Sequence, residues 1–166
     1  MTVFSAAFSA VAVSAAQDLF EIVAPASSRV RLLEIDIGQY TDFGDAAAEI
    51  LSLTIHRGHT VSGSGGSAVT PANINPYGAV AGSTVEANND TVAITSGTLI
   101  WSTTWHVQAG FIWRPPEDTP GGMDRFRRHI LIKPAQRLVI RITAPADPLT
   151  TNGSILFEEI GKSPVS

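Results

Sequence analysis

A chain of 166 residues is long enough for one domain that buries roughly two-thirds of its unfolded surface without covalent staples. It has no cysteine, which excludes a disulfide framework, a thiolate metal site and a cysteine nucleophile. Eleven Lys plus Arg against fifteen Asp plus Glu leave a net charge of -4 and no basic stripe, so no nucleic-acid partner is expected. A charged fraction of only 16% suits a surface covered by neighbours, because burying an unpaired charge costs far more than burying Ser or Thr.

Residues 1–17 carry the small apolar residues of a secretion signal, but no Lys or Arg precedes them, and they read instead as an ordered arm or first strand. Two-residue alternation then dominates. It is weak over Asp18 to Val23 and clear over Arg29 to Ile37, where Leu33, Ile35 and Ile37 share one face and Glu34 and Asp36 the other. Asp45 is placed to cap a short helical turn through Ala46 to Ala48. Ile50 to Arg57 resumes the alternation, with Leu51, Leu53 and Ile55 inward.

Residues 58–90 are rich in Gly, Ser, Ala and Asn, with a weak strand at Val80 to Val85, and are expected to form a long functional loop ordered by other chains. After a weak strand at Thr91 to Thr95, Gly97 to Gln108 is the longest candidate. It puts Leu99, Trp101, Thr103, Trp105 and Val107 on one side. Phe111 to Trp113 extends it past Gly110 until Pro115 and Pro116 end any pairing, and residues 114–125 are expected to project as a tip. Arg127 to Lys133, Arg137 to Thr143 and Ser154 to Ile160 complete about eight strands. No run approaches the ~18 apolar residues of a spanning helix, and no membrane association is expected. The predicted fold is a single all-β domain, an antiparallel β-sandwich of jelly-roll type with one long Gly/Ser-rich insertion.

Candidates for chemistry are sparse. His56 and His59 are three apart on an extended segment, so a shared metal would need a turn at Gly58 and further ligands such as His106 or His129. The acids Asp36, Asp42 and Asp45, and the stretches 88–90 and 118–124, lack the alternating calcium-loop pattern and read as turn residues and a cap. No Gly-x-Ser-x-Gly elbow is present, and Glu158 and Glu159 are adjacent on a strand and face opposite ways. The run Ser62 to Gly66 lacks the phosphate-loop pattern and reads as flexible filler. No catalytic residue, metal site or cofactor is predicted. Trp101 and Trp105 suit either a core layer or a sugar-stacking platform, while Trp113, beside the proline-rich segment, suits an interface anchor. Arg114 and the cluster Arg125, Phe126, Arg127, Arg128 and His129 are placed to meet an acidic neighbour. The candidate interface set is Phe4, Phe8, Tyr77, Trp113, Arg114, Arg125 and Arg127.

The alternating arm Thr2 to Val13, the Gly/Ser-rich insertion after Leu51 to Ile55, and the closing strands Arg137 to Ile142 and Ser154 to Glu158 together resemble small jelly-roll virion proteins of tailed bacteriophages, nearest to capsid decoration or cement proteins. That resemblance implies a non-enzymatic structural protein, made in the host cytoplasm and carried on the capsid surface. Its partners would be itself, as a homotrimer or similar cluster, and a major capsid or other virion protein. Two alternatives are carried: a carbohydrate-binding or receptor-binding sandwich, and a cupin-like metalloenzyme built on the histidines.

Overall fold

The computed structural model describes residues 2–40, 49–93, 97–115 and 129–161. They form twelve strands: β1 (Thr2–Val13), β2 (Gln17–Val23), β3 (Ser28–Gln39), β4 (Ile50–Arg57), β5 (Ser67–Val69), β6 (Ala72–Asn73), β7 (Thr84–Asn89), β8 (Thr98–His106), β9 (Phe111–Trp113), β10 (Leu131–Ile132), β11 (Arg137–Ile142) and β12 (Leu149–Gly161). These make two antiparallel sheets. The front sheet runs β6-β1-β12-β3, with β9 and β10 both on the far side of β3, and the back sheet runs β5-β7-β2-β11-β4-β8. From β1 to β4 the chain alternates front and back. It then passes through the insertion, with β5 and β7 at the edge of the back sheet and β6 at the edge of the front one, reaches β8 and alternates home through β9 and β10, β11 and β12, which is the winding of a jelly roll.

Inward residues from both sheets form one core. Phe4, Phe20, Leu32, Ile35, Ile37, Leu53, Ile55, Leu138, Ile140, Ile155 and Phe157 are all essentially inaccessible to solvent. Each such side chain contributes about 1.5–3 kcal/mol of transfer free energy, and this burial drives the sheets together. Trp101, Phe111 and Trp113 close the open edge where β8 of the back sheet meets β9 of the front. Trp101 lies 6.0 Å from Phe111 and 6.1 Å from Trp113, ring centre to ring centre.

The alternation predicted for β4 and β11 holds residue for residue. In β3 and β8 it breaks. Leu156 pairs with Glu34 and Phe157 with Leu32, so Leu33 is an extra residue in the ladder. Leu32 therefore enters the core, and Leu33 is not the inward residue that simple alternation gives. The same happens in β8, where Ile55 pairs with Trp101 and His56 with Leu99. The extra residue, Ile100, packs against the core, and Leu99 is mostly exposed.

Residues 58–90 are a folded part of the sandwich. β5 and β7 extend the back sheet, β6 caps the front one, and the predicted strand lies at Thr84–Asn89 instead of 80–85. The segment is ordered by its own chain, contrary to the expected loop, and Ser62 to Gly66 is not filler. Gly63 and Gly66 lie so close to Asn89 and the neighbouring backbone that no β-carbon fits at either position. Thr91 makes only an isolated bridge to Ser64, short of the strand expected from 91. The turn predicted at Asp45 lies outside the described residues.

Candidate functional site

Two parts of the molecule gather chemistry. The first is a polar layer on the outer face of the back sheet. Alternation on β11 turns Arg137 and Arg141 outward, and an extra residue at Leu19 in β2 brings Asp18 onto the same outer face as Glu21, yet both acids are almost fully buried because residues 58–66 and 90–93 fold back over them. Each carboxylate is paired. Arg141 Nε donates to Asp18 Oδ1 at 2.6 Å, the Ala93 N–H donates to Oδ2 at 2.6 Å, and Arg141 Nη2 donates to the Ala93 carbonyl at 2.6 Å. Arg137 pairs with Glu21, while Ser62 Oγ donates to Glu21 Oε1 at 2.5 Å and the Gly63 N–H to Oε2 at 3.0 Å. Glu86 stands directly opposite Glu21 on β7, a like-charge pairing that Arg137 and the Ser62 hydroxyl offset.

Beside these ion pairs lie the two histidines. Their rings are 5.7 Å apart, and His56 Nε2 is 3.1 Å from Thr54 Oγ1. His59 is 7% exposed, neither of its ring nitrogens has a hydrogen-bond partner among the described residues, and Gly97 lies against the ring so tightly that a β-carbon there would overlap it. Partial burial, then the Arg141 cation and His59, push the His56 pKa below the ordinary imidazole value, and Asp18 only partly opposes them. Both histidines adjoin arginines rather than further ligands. Among the described residues, no three His, Asp or Glu side chains converge as a metal-binding group would.

The second part is the tip of the insertion, between β6 and β7. The Asn73 side chain donates to the Ala79 carbonyl at 2.6 Å and accepts the Asn75 N–H at 2.9 Å, and the Asn75 side chain accepts the Tyr77 N–H at 3.1 Å. Gly78 packs against Asn73 with no room for a β-carbon. The tip's two ends are fixed as well. The Ile74 N–H donates to the Val3 carbonyl at 3.0 Å, and Glu159 Oε1 accepts from the Gly82 N–H, the Ser83 N–H and Ser83 Oγ at 2.7–2.9 Å. This tightly held turn points its apolar side chains at solvent: Tyr77 is 96% exposed, Val80 87% and Ile74 57%. From Gly58 to Val85 the chain contains no Asp, Glu, Lys or Arg.

The predicted interface residues fall into four groups. Tyr77 is the most exposed large apolar residue among those described, and Arg114 is exposed and paired with Glu34 at 2.8 Å. Phe8 and Trp113 are half-buried, Phe8 against Phe20 at 5.1 Å and Trp113 against Trp101. Phe4 is 1% exposed and stacks on Phe157 inside the sandwich, so it offers no surface to a partner. Arg125 and Arg127, with Phe126 and Arg128, lie outside the described residues, as does most of 114–125. Trp105 is buried, with Nε1 donating to the Ala109 carbonyl at 2.5 Å.

Sequence reasoning missed the ion pairs, since Asp18 and Arg141 are separated by 123 residues and only the sheet order makes them neighbours. The one available signal was a charged residue inside an otherwise apolar strand, as Asp18 and Glu21 are in β2. Compared with known proteins, the chain matches no family model, no curated protein and no solved structure.

Proposed function

We propose that this chain is a non-enzymatic structural protein of a tailed-phage virion, a capsid decoration protein that stabilises the shell by bridging coat subunits. The observation that carries the reading is the insertion, uncharged from Gly58 to Val85, folded onto both sheets and carrying a rigid turn that holds Tyr77, Val80 and Ile74 in solvent. Soluble monomers rarely gather exposed apolar residues so closely unless the patch is a contact site, and uncharged, aromatic surface is the usual character of an interface core. Pre-forming the turn lowers the entropy lost on docking, which is where a rigid β-sandwich has an advantage over a loop.

The remaining polar groups support the same reading. Buried charge is used within the fold: Glu21 and Arg137 hold residues 59, 62 and 63 of the insertion against the back sheet, and Asp18 and Arg141 hold Ala93 beside it. A sugar-stacking platform receives no support from the tryptophans, because Trp101 and Trp113 pack edge to face against each other and Trp105 is inside.

The test is made on particles of a phage that encodes the chain, banded on a density gradient. The chain is expected to band with the heads, and heads produced without it should release DNA at a lower temperature, with stability restored when purified chain is added back. Heads that lack the chain, or whose thermal stability is indifferent to it, would refute the reading.

A further inference from the structure

We infer that the insertion tip is where copies of this chain meet one another, Tyr77 of one copy entering the apolar hollow beside β5 of the next. The inference rests on reading the tip as a contact surface and names its occupant. The hollow has a volume of about 250 Å³ and is lined by Ala68, Val69, Pro71, Val80, Ala81 and Val85, with Thr70, Ser83 and Thr84 as its polar members. It belongs to the same insertion as Tyr77 but is not filled by it, since Tyr77 leaves nearly all its surface in solvent. A knob and a hollow on one small patch are what a symmetric self-contact requires, because each copy must present both halves of the fit.

Charge selects a second copy over a different protein. At a symmetry axis every charged side chain approaches its own duplicate, and copies carrying a net charge of -4 repel one another. Gly58 to Val85, the longest stretch of the chain without Asp, Glu, Lys or Arg, gives that repulsion no source at the tip. A foreign partner would impose no such constraint and would be better selected by complementary charge. The Asn73 and Asn75 hydrogen bonds fix the direction of the knob before contact is made, so little ordering remains to oppose association.

Sedimentation equilibrium on the full chain tests this directly. The wild-type chain is expected to self-associate in the micromolar range. Tyr77→Ala should weaken association by roughly thirtyfold or more, as loss of a central aromatic anchor does. Its denaturation midpoint should be unchanged, which separates a lost contact from a lost fold. The absence of cysteine permits a second test with single-cysteine variants of different tag length. On mild oxidation, Ala79→Cys, exposed on the tip beside an intact Tyr77, should form a mixed disulfide with Ala68→Cys several-fold faster than with Gln108→Cys, an exposed control beyond β8. A chain that stays monomeric, association indifferent to Tyr77→Ala, or equal cross-linking at positions 68 and 108 would each overturn the inference. Particle binding by a monomeric chain would sink the self-contact and leave the virion reading standing, and Tyr77-dependent self-association without particle binding would do the reverse.

Discussion

Replacing Arg141 with Met is expected to destabilise the chain by about 3–5 kcal/mol, the usual cost of stranding a buried charge whose partner has been removed. The size follows from the surroundings of Asp18, which is inaccessible to solvent and, among the described residues, is left with only the Ala93 N–H once the guanidinium is gone. The Ala93 carbonyl loses its donor in the same step. With a urea slope of about 2 kcal/mol/M for a domain of this size, the unfolding midpoint should fall by about 1.5–2.5 M. The double variant Asp18→Asn, Arg141→Met removes the stranded charge while keeping an acceptor for Ala93, and should recover at least about 1.5 kcal/mol relative to the sum of the single changes. A spectroscopic readout accompanies the stability one. Arg141 is one of the groups holding the His56 pKa down, so in Arg141→Met the His56 ring should titrate at higher pH, followed by its proton resonances. A cost below about 1 kcal/mol, or a double variant with no recovery, would refute the view that this pair is a buried unit.

Three further outcomes follow from the same packing. Gly97→Ala should cost about 1–3 kcal/mol by urea denaturation, because the added methyl overlaps the His59 ring, which is enclosed. Phe4→Ala should cost about 3–5 kcal/mol, the range for emptying a core aromatic, whereas Tyr77→Ala should change stability by no more than about 0.5 kcal/mol. Acidification should weaken the fold through His56. Its folded-state pKa lies below the unfolded value of about 6.5, so its contribution is fully present above that pH and is lost as pH falls toward the depressed value. His56→Gln should flatten that part of the stability profile, and an unaltered slope between about pH 7 and 5 would exclude His56 as its source.

Period-two alternation was a reliable guide wherever a ladder ran without interruption, as in β4, where Leu51, Leu53 and Ile55 all enter the core. It failed at single-residue irregularities. One extra residue in β3 exchanges the roles of Leu32 and Leu33, and one in β8 turns Leu99 out, because a slip of one position reverses every side chain beyond it. Nothing local in Arg31 to Glu34 announces such a bulge, since Leu32 and Leu33 are the same residue type. The insertion was illegible for a related reason. Gly, Ser and Ala have little strand preference of their own, and β5 to β7 exist because the edges of β1 and β2 offer unpaired backbone groups to complete. Tyr77 stood out as a lone aromatic in a polar stretch, but the Asn73 and Asn75 hydrogen bonds that aim it depend on a turn the sequence does not spell out.

The two gathered regions are mechanically one device. The tip can be rigid only if the strands beneath it are held, and those strands are tied down at separate places. Glu21 and Arg137 fasten residues 62 and 63 to the back sheet, and Glu159 on β12 fastens residues 82 and 83 near the end of the front sheet. The buried charges therefore lie below a tip segment, Gly58 to Val85, that itself carries no charge. Placing them in the tip would have anchored it equally well, at the expense of the uncharged surface a self-contact needs. The outer face of the back sheet supplies what the tip omits, keeping charge away from the contact while using it to fix the contact's geometry.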